Sequence, residues 1–190
     1  MLDQALQFLL ETAIGLLTFA LLLRFYMQLL KTSFRNPVGE FVVALTDWLV
    51  RPARRVIPGL HGLDLASLLL AWAMQALLLL VIYWIKGFVF SGTPGVATGV
   101  LLTLAVLEIL KYSVYLLIVC VIIQVLLSWT NPYVPLAPLF NSLTRPFLRP
   151  FQRRIPPIGN VDLSPLFVLV LAQLALLLIA NVYRIIAGMF

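Results

Sequence analysis

The chain has 190 residues, of which 63% are hydrophobic and 11% are charged, whereas a soluble domain has about 45–50% apolar and about 25% charged residues. This composition excludes a water-soluble domain with a single core and predicts a membrane protein. The formal net charge is +6, but the basic residues are sparse between apolar runs, so direct nucleic-acid binding is not expected. A single cysteine, Cys120, and a single histidine, His61, exclude an internal disulfide and a zinc site of soft ligands. We expect neither a metal nor a cofactor.

Four apolar stretches are long enough to cross a bilayer, since a spanning helix needs about 20 mostly apolar residues. They cover approximately residues 5–30, 65–85, 100–127 and 165–186. The first carries Asp3 and Glu11 and no preceding Lys or Arg, which indicates a retained helix rather than an export signal. The third would be about 48 Å long if helical from Val96 to Leu127. We expect it to protrude, with Glu108 and Lys111 near the outer interface; a break near Glu108 is the alternative.

The basic residues are concentrated in two segments between the spans. Residues 31–64 hold Lys31, Arg35, Arg51, Arg54 and Arg55, and residues 128–162 hold Arg145, Arg149, Arg153 and Arg154. The connection between the second and third spans holds only Lys86. The positive-inside rule therefore predicts that both basic segments are cytoplasmic and that both termini are periplasmic. Arg24, near the end of the first span, is expected to snorkel to the interface.

The two basic segments resemble each other. Shifted by 98 positions, residues 45–65 match residues 143–163 at nine of 21 places, including Arg51-Pro52 with Arg149-Pro150 and Asp64 with Asp162. This match predicts a tandem duplication of one helical hairpin, with both copies in the same orientation. The first copy would be residues 1–90 with the basic loop 31–64, and the second residues 91–190 with the basic, proline-rich loop 128–162.

Each loop is expected to carry an amphipathic segment in the headgroup plane. In the first loop, apolar residues recur at three- and four-residue spacing, which is typical of a surface helix; they are Phe41, Val42, Leu45, Trp48 and Leu49. The second loop has seven of the twelve prolines between Pro132 and Pro157, so a short helix broken by proline and an otherwise extended chain are expected. The proline of each Arg-Pro pair is expected to end the helix.

The loop arginines are the first candidate site. We expect these arginines to bind a protein partner or anionic lipid headgroups. The candidate arginines are Arg51, Arg54, Arg55, Arg149, Arg153 and Arg154. The guanidinium group is a planar fork of donors that suits phosphate and carboxylate. The alternative role is control of topology together with general attraction to an anionic membrane surface.

An aspartate stands immediately before a spanning helix in each copy. Asp64 and Asp162 are expected to accept hydrogen bonds from the first free amides of those helices. The alternative is that each aspartate also pairs with an arginine of its own loop, which would fold the loop back on itself. The candidate partners are Arg51 or Arg55 in the first copy and Arg149 or Arg153 in the second.

Polar residues within the spans provide a second candidate site. Glu108 and Lys111 are three residues apart, so they are expected to form a neutralised pair. The alternative is that they belong to an ion path together with Glu11 and the membrane glutamines.

Several motifs together resemble one known family. One order of motifs occurs twice: Leu-Thr, Arg-Pro, Arg, Ile-Pro and then an Asp-Leu that opens a membrane helix. In addition, Leu126-Leu127-Ser128-Trp129 precedes Asn131-Pro132. This pattern resembles the YggT family of bacterial inner-membrane proteins, also called YlmG, over nearly the whole chain and more fully in the second copy. The resemblance implies a small multi-pass protein without known catalysis or an established active site. Its members are linked to osmotic tolerance, cation uptake, cell division or nucleoid distribution, and cytochrome assembly in plastids.

The sequence therefore predicts an all-α membrane protein of four spans in the bacterial inner membrane. The leading hypothesis is a non-enzymatic factor whose arginine-rich loops bind a protein partner or anionic lipid, in support of membrane-complex assembly or osmotic tolerance. The alternative is a cation conduit formed by a homo-oligomer, since four spans make a thin bundle.

Overall fold

The computed structural model describes residues 2–57, 64–87, 94–130, 134–155 and 162–188. These residues form six helices and contain no strand: α1 (Leu2–Leu29), α2 (Pro37–Val56), α3 (Leu65–Ile85), α4 (Pro94–Thr130), α5 (Ala137–Gln152) and α6 (Ser164–Ala187). His61, Asn131-Pro132 and the proline of each Ile-Pro pair, Pro58 and Pro156, lie outside the described residues.

Four of these helices, α1, α3, α4 and α6, are long and apolar enough to cross a membrane. The prediction of an all-α membrane protein with four spans is thus confirmed at the level of its helices. Their bounds follow the predicted stretches closely, except that α4 has 37 residues. Because α4 is continuous, it does not break near Glu108.

The four long helices pack side by side. Helix α1 contacts α3 and α4, and α4 also contacts α3 and α6. The core between them includes Leu21, Leu22 and Leu116, which are buried. Many leucines of α6, such as Leu174 and Leu177, are exposed on the outside of the bundle. Such an apolar exterior is stable in a lipid environment and would be unfavourable in water.

The two shorter helices close one end of the bundle. Helix α2 contacts α1 and α3, whereas α5 contacts α4 and α6. Val50 of α2 and Leu139 of α5 belong to one buried apolar cluster with Met27, near the end of α1. We call this part of the molecule the loop-helix end.

Both short helices continue through proline, contrary to the expectation from the sequence. Pro52 lies inside α2, and Pro146 and Pro150 lie inside α5. The expectation that the Arg-Pro pairs end the helices is wrong, as is the expectation that proline breaks the helix of the second loop. Each proline removes one backbone donor, but packing of Val50 and Leu148, both fully buried, holds the helices against the bundle, and tertiary packing provides most helical stability in proteins.

The apolar residues of α2 do not lie on one face. Val42 is buried against the bundle together with Thr46 and Val50. Phe41 and Trp48 point away from it and are 65% and 67% exposed. Helix α2 therefore has a packed face that includes a threonine and a separate apolar face that no described part of the chain covers.

Candidate functional site

Arg24 of α1 is buried at the loop-helix end, with 5% of its surface exposed. Its Nη1 atom donates hydrogen bonds to Oδ1 of Asp47, at 2.8 Å, and to Oγ1 of Thr46, at 2.7 Å. The expected snorkelling of Arg24 stays a prediction, but its charge is paired within the chain. Helix α2 brings acceptors to the guanidinium group, because a buried charge is stable only when it is paired and hydrogen-bonded.

Asp64 is also buried, with 3% of its surface exposed. Its carboxylate accepts hydrogen bonds from Nη2 of Arg54, at 2.6 Å, and from Nε of Arg54, at 3.3 Å. The Nε atom of Arg24 lies 3.6 Å from Oδ2 of the same carboxylate. Asp64 therefore pairs with Arg54 and Arg24, and not with Arg51 or Arg55, because Arg54 is on the side of α2 that faces the start of α3.

The same carboxylate caps α3. It accepts hydrogen bonds from the backbone N–H of Ser67, at 3.4 Å, and from Oγ of Ser67, at 2.6 Å. The two roles that the sequence left open for Asp64, helix cap and arginine partner, thus occur together in one carboxylate.

Arg51 extends this chain of charges. Its Nη2 atom lies 2.7 Å from Oδ2 of Asp47, one helical turn earlier in α2. Five charged residues are therefore linked in the order Arg51, Asp47, Arg24, Asp64 and Arg54, and we call them the Arg24 network. The network joins α1, α2 and the start of α3. It contains three cations and two anions, and two of the candidate binding arginines, Arg51 and Arg54, are each already paired with a carboxylate within the chain.

The network also sets the ionisation of its carboxyl groups. Burial alone would raise the pKa of Asp47, but the hydrogen bond and charge of Arg24 and the charge of Arg51 hold it below its ordinary value of 3.8. Burial likewise opposes ionisation of Asp64, yet hydrogen bonds from Arg54 and Ser67 keep its pKa below 3.8. Hydrogen bonds to the charged form outweigh desolvation at both residues.

The second half of the chain has an uncharged counterpart. Gln124 of α4 is hydrogen-bonded to Thr144 of α5, and its Nε2 atom donates to Oδ1 of Asn141 at 2.8 Å. Asp162 is exposed and accepts from Nε2 of Gln152, at 2.9 Å, and from the N–H of Ser164, at 2.8 Å. Among its described contacts, Asp162 therefore pairs with a glutamine and not with Arg149 or Arg153.

The arginines of α5 consequently differ from those of α2. Four exposed arginines follow one another along the end of α5, namely Arg145, Arg149, Arg153 and Arg154, and we call them the α5 arginine face. No ion pair of these residues occurs with any acidic side chain in the described ranges. Arg55 of α2 is likewise exposed and has no such pair. The strongest unneutralised positive charge of the loop-helix end is therefore on α5.

Two surface cavities lie along the α5 arginine face. The first has a volume of about 480 Å³ and is lined by Pro146, Arg149, Pro150, Arg153 and Arg154. The second, of about 470 Å³, is lined by Leu30, Ser142, Arg145, Pro146 and Arg149. Arg149 borders both cavities, so the guanidinium groups surround adjoining spaces that a ligand can enter.

Glu108 and Lys111 form the pair that their spacing predicts: Nζ of Lys111 lies 2.5 Å from Oε2 of Glu108. Their expected place near the outer interface stays a prediction. A Cβ atom built on Gly15, near the middle of α1, would lie only 2.6 Å from the hydroxyl of Tyr112. Because Glu108 is one turn from Tyr112, the pair lies on a part of α4 that is close to α1.

The pair borders a polar cavity of about 380 Å³ between the long helices. Its lining includes Gln7, Glu11, Gln75, Tyr83, Lys86, Glu108, Lys111, Tyr112 and Tyr183. Nε2 of Gln75 donates to Oγ1 of Thr18 at 3.0 Å, in the buried interior. The structure thus gathers Glu11, Glu108 and Lys111, which the sequence linked only as a hypothetical ion path, around one space.

Sequence reasoning missed Arg24 and Asp47 as interacting residues. The available signal was Arg24 itself, since a charged residue inside a membrane span is usually paired within the protein.

In the described part of the chain, no group of three or more His, Cys, Asp or Glu side chains is arranged to hold a metal ion.

The fold and these sites define a multi-span α-helical membrane protein with buried charge networks. A family model described as CCB3/YggT matches residues 3–85 and 103–183, and the chain belongs to this family. An uncharacterized protein of Pseudomonas aeruginosa is 35% identical over 190 residues, covering 99% of this chain and 94% of the relative. The uncharacterized protein YggT of Escherichia coli K12 is 33% identical over 180 residues, covering 94% and 91%. An uncharacterized protein of Vibrio alginolyticus is 31% identical, covering 94% and 95%. No solved structure matches the chain.

Proposed function

We propose that this protein is a non-enzymatic inner-membrane protein that binds an anionic partner through the α5 arginine face of its loop-helix end. The observation that carries the proposal is the α5 arginine face: four exposed arginines without an acidic partner in the described ranges, around two adjoining cavities. Guanidinium groups in this arrangement suit a phosphate-bearing headgroup or a carboxylate-rich protein surface. Such binding would support assembly of membrane complexes or osmotic tolerance.

The proposed threading places both loop helices in the cytoplasm and both termini in the periplasm. It rests on the asymmetry of Lys and Arg between the connections. Two tandem hairpins in parallel orientation are consistent with the two separate segments, 3–85 and 103–183, that match the family model. They are also consistent with the equivalent places of α2, between α1 and α3, and of α5, between α4 and α6.

We further propose that the two loop helices lie in the headgroup region. The exposed Phe41 and Trp48 of α2 and Phe147 of α5 support this location, since Trp and Phe are typical of the apolar face with which an interfacial helix enters the membrane surface. In that position the nearby arginines are at the level of lipid phosphates and of proteins docked on the membrane.

The test compares two triple variants that lose the same charge. In the first, Arg149, Arg153 and Arg154 are changed to Gln. In the second, Lys31, Arg35 and Arg55, which are exposed and lie outside the Arg24 network, are changed to Gln. Each protein is cross-linked in intact cells and purified from membranes, and its associated proteins and lipids are identified. Loss of partners only in the α5 variant supports the proposal, and unchanged partners in both inserted variants contradict it.

A second candidate function is a cation conduit that requires several copies of the chain. The observation that favours it is the polar cavity, which holds Glu11, Glu108 and Lys111 within the bundle. Polar groups around a water-accessible space are the arrangement by which channels conduct ions. Purified protein in liposomes would then conduct K⁺ or Na⁺, and Glu108→Gln would change the flux. The absence of flux, or flux that is unchanged by Glu108→Gln, would remove this candidate.

A further inference from the structure

An apolar groove adjoins the α5 arginine face. Helices α1, α4, α5 and α6 enclose it, and it has a volume of about 430 Å³. Its walls include Leu29, Val114, Leu117 and Phe147, and almost all the surface that lines it is apolar. Along α4 the wall extends from Leu110 to Cys120, which corresponds to about 15 Å of helix. This shape accommodates an extended hydrocarbon chain lying along the bundle.

The groove is continuous with the cationic surface. Leu30 and Pro146 line the groove and also line the cavity that contains Arg145 and Arg149. The cavity with Arg153 and Arg154 follows immediately, since it shares Pro146 and Arg149. A single path therefore leads from an apolar wall to four guanidinium groups, with the turn of α5 around Pro146 as the boundary.

The charge at the end of this path is not balanced by an acidic side chain of the described residues. On α2, Arg51 is paired with Asp47 and Arg54 is paired with Asp64. The arginines of α5 have no such carboxylate partner among the described acidic residues, because Asp162 accepts hydrogen bonds from Gln152 and from the backbone at the start of α6. An anion that also has an apolar tail would satisfy both parts of the path.

We propose that this path is a binding site for one anionic phospholipid, with its phosphate on Arg145 and Arg149 and an acyl chain in the groove. The inference rests on the proposed function and makes it more specific. Basic pockets between membrane helices on the cytoplasmic side are a known form of lipid recognition. A carboxylate-rich protein would engage the arginines without using the groove, and inorganic phosphate would do the same, so the groove identifies a lipid.

The test measures lipid binding to the purified, delipidated full chain in a neutral detergent by native mass spectrometry. The probes are phosphatidylglycerol and phosphatidylcholine with identical acyl chains, and inorganic phosphate for the headgroup alone. We expect one phosphatidylglycerol per chain, with much weaker binding of phosphatidylcholine and of phosphate. The double variant Arg145→Gln, Arg149→Gln is expected to bind phosphatidylglycerol about tenfold or more weakly, from the attraction of each arginine to an anionic lipid.

Two further variants separate this site from general charge attraction. Arg51→Gln with Arg55→Gln removes the same charge from α2 and is expected to leave binding unchanged. Val114→Phe fills the groove and keeps every arginine, and it is expected to weaken phosphatidylglycerol binding severalfold. Ser113→Leu adds bulk at a neighbouring half-buried position, so the test does not depend on the folding of one variant. Thermal unfolding of each variant serves as the folding control.

The outcomes distinguish this inference from the function on which it rests. If both groove variants bind phosphatidylglycerol as the wild type does while the α5 arginine variant does not, the acyl-chain site is refuted and the arginine face remains a surface for anionic partners. If the two phospholipids bind equally, or if the α2 variant loses as much binding as the α5 variant, the lipid site is refuted. If the triple variant of Arg149, Arg153 and Arg154 retains its cellular partners, the proposed function is contradicted independently of the lipid site.

Discussion

The Nε atom of Arg24 lies 3.6 Å from Oδ2 of Asp64, and both side chains are buried at the point where α1 meets the start of α3. Both groups also contact α2, through Asp47 and Arg54 respectively. The pair therefore connects the three helices of the first half of the chain. Removing one charge leaves the opposite charges buried without compensation, which is the costly way to break such a pair.

We expect Asp64→Asn to destabilise the protein strongly. The amide keeps the size of the side chain but removes the negative charge between Arg24 and Arg54, and breaking a buried ion pair in this way costs about 3–5 kcal/mol. The measurement is the midpoint of thermal unfolding in detergent. Asp162→Asn is the matched control, since Asp162 occupies the corresponding place in the second half but is exposed. Its effect is expected to stay within about 0.5 kcal/mol. Equal effects of the two substitutions would show that the Arg24 network contributes no special stability.

The same carboxylates predict how stability depends on pH. The pKa values of Asp47 and Asp64 are below 3.8 in the folded protein, so the unfolded chain binds protons more readily. Their stabilising contribution is fully present above the unfolded pKa of about 3.9. It is lost as the pH falls through the lower, folded values.

We therefore expect the unfolding midpoint to change little between about pH 7 and pH 5 and to fall below about pH 4. In Asp64→Asn the fall at acid pH is expected to be smaller, because one of the carboxyl groups with a lowered pKa is absent. A wild-type midpoint that rises on acidification below pH 4 would contradict this assignment.

Composition and apolar length were sufficient to predict the four spans, because the hydrocarbon thickness sets a length that few other structures require. The short helices were harder. The prolines of α5 suggested an extended loop, yet Pro146 and Pro150 lie inside a helix. Local propensity favours a break at each proline, whereas burial of Phe140, Leu143 and Leu148 depends on the position of the bundle, which a sequence pattern does not contain.

The ion pairs likewise divide into those that the sequence predicts and those that depend on packing. The spacing of Glu108 and Lys111 on one helix was enough to predict their pair, since residues three apart on a helix are neighbours. The partner of Asp64 was not predictable in this way, because it depends on how α2 is rotated about its axis. That rotation faces Arg54 toward Asp64 and directs Arg51 back to Asp47.

Gly15 of α1 provides a test of the packing beside the polar cavity. A Cβ atom at this position would lie 2.6 Å from Oη of Tyr112, so Gly15→Ala must displace the tyrosine. We expect a loss of about 1–3 kcal/mol from overpacking, measured as a lower unfolding midpoint. Tyr112→Phe removes the clashing oxygen, and the next ring atom is at an ordinary contact distance of 3.5 Å. The double variant is therefore expected to be more stable than the sum of the two single effects.

Gly99→Ala is the control for helix propensity. Gly99 lies inside α4, and a Cβ atom there meets nothing within 4 Å. An alanine is therefore expected to be neutral or to stabilise the helix by up to about 1 kcal/mol. If Gly15→Ala behaves like Gly99→Ala, the close approach of Tyr112 to α1 is refuted.

The Glu108–Lys111 pair allows its structural role to be separated from a role in conduction. Lys111→Met leaves the carboxylate of Glu108 without the ammonium group that lies 2.5 Å from it. The double variant Glu108→Gln, Lys111→Met removes both charges. Because an isolated charge inside the bundle is less favourable than two neutral groups, Lys111→Met is expected to lower the unfolding midpoint more than the double variant does.

Ion flux in liposomes is measured on the same two variants. If the pair serves only to neutralise its members, flux in the double variant equals that of the wild type, whatever its level. If the polar cavity conducts cations, the double variant loses flux although its stability is restored, because the carboxylate that attracts the cation is absent. A double variant that is less stable than Lys111→Met would contradict the role of the pair in stability, since it would mean that Glu108 is favourable without its partner.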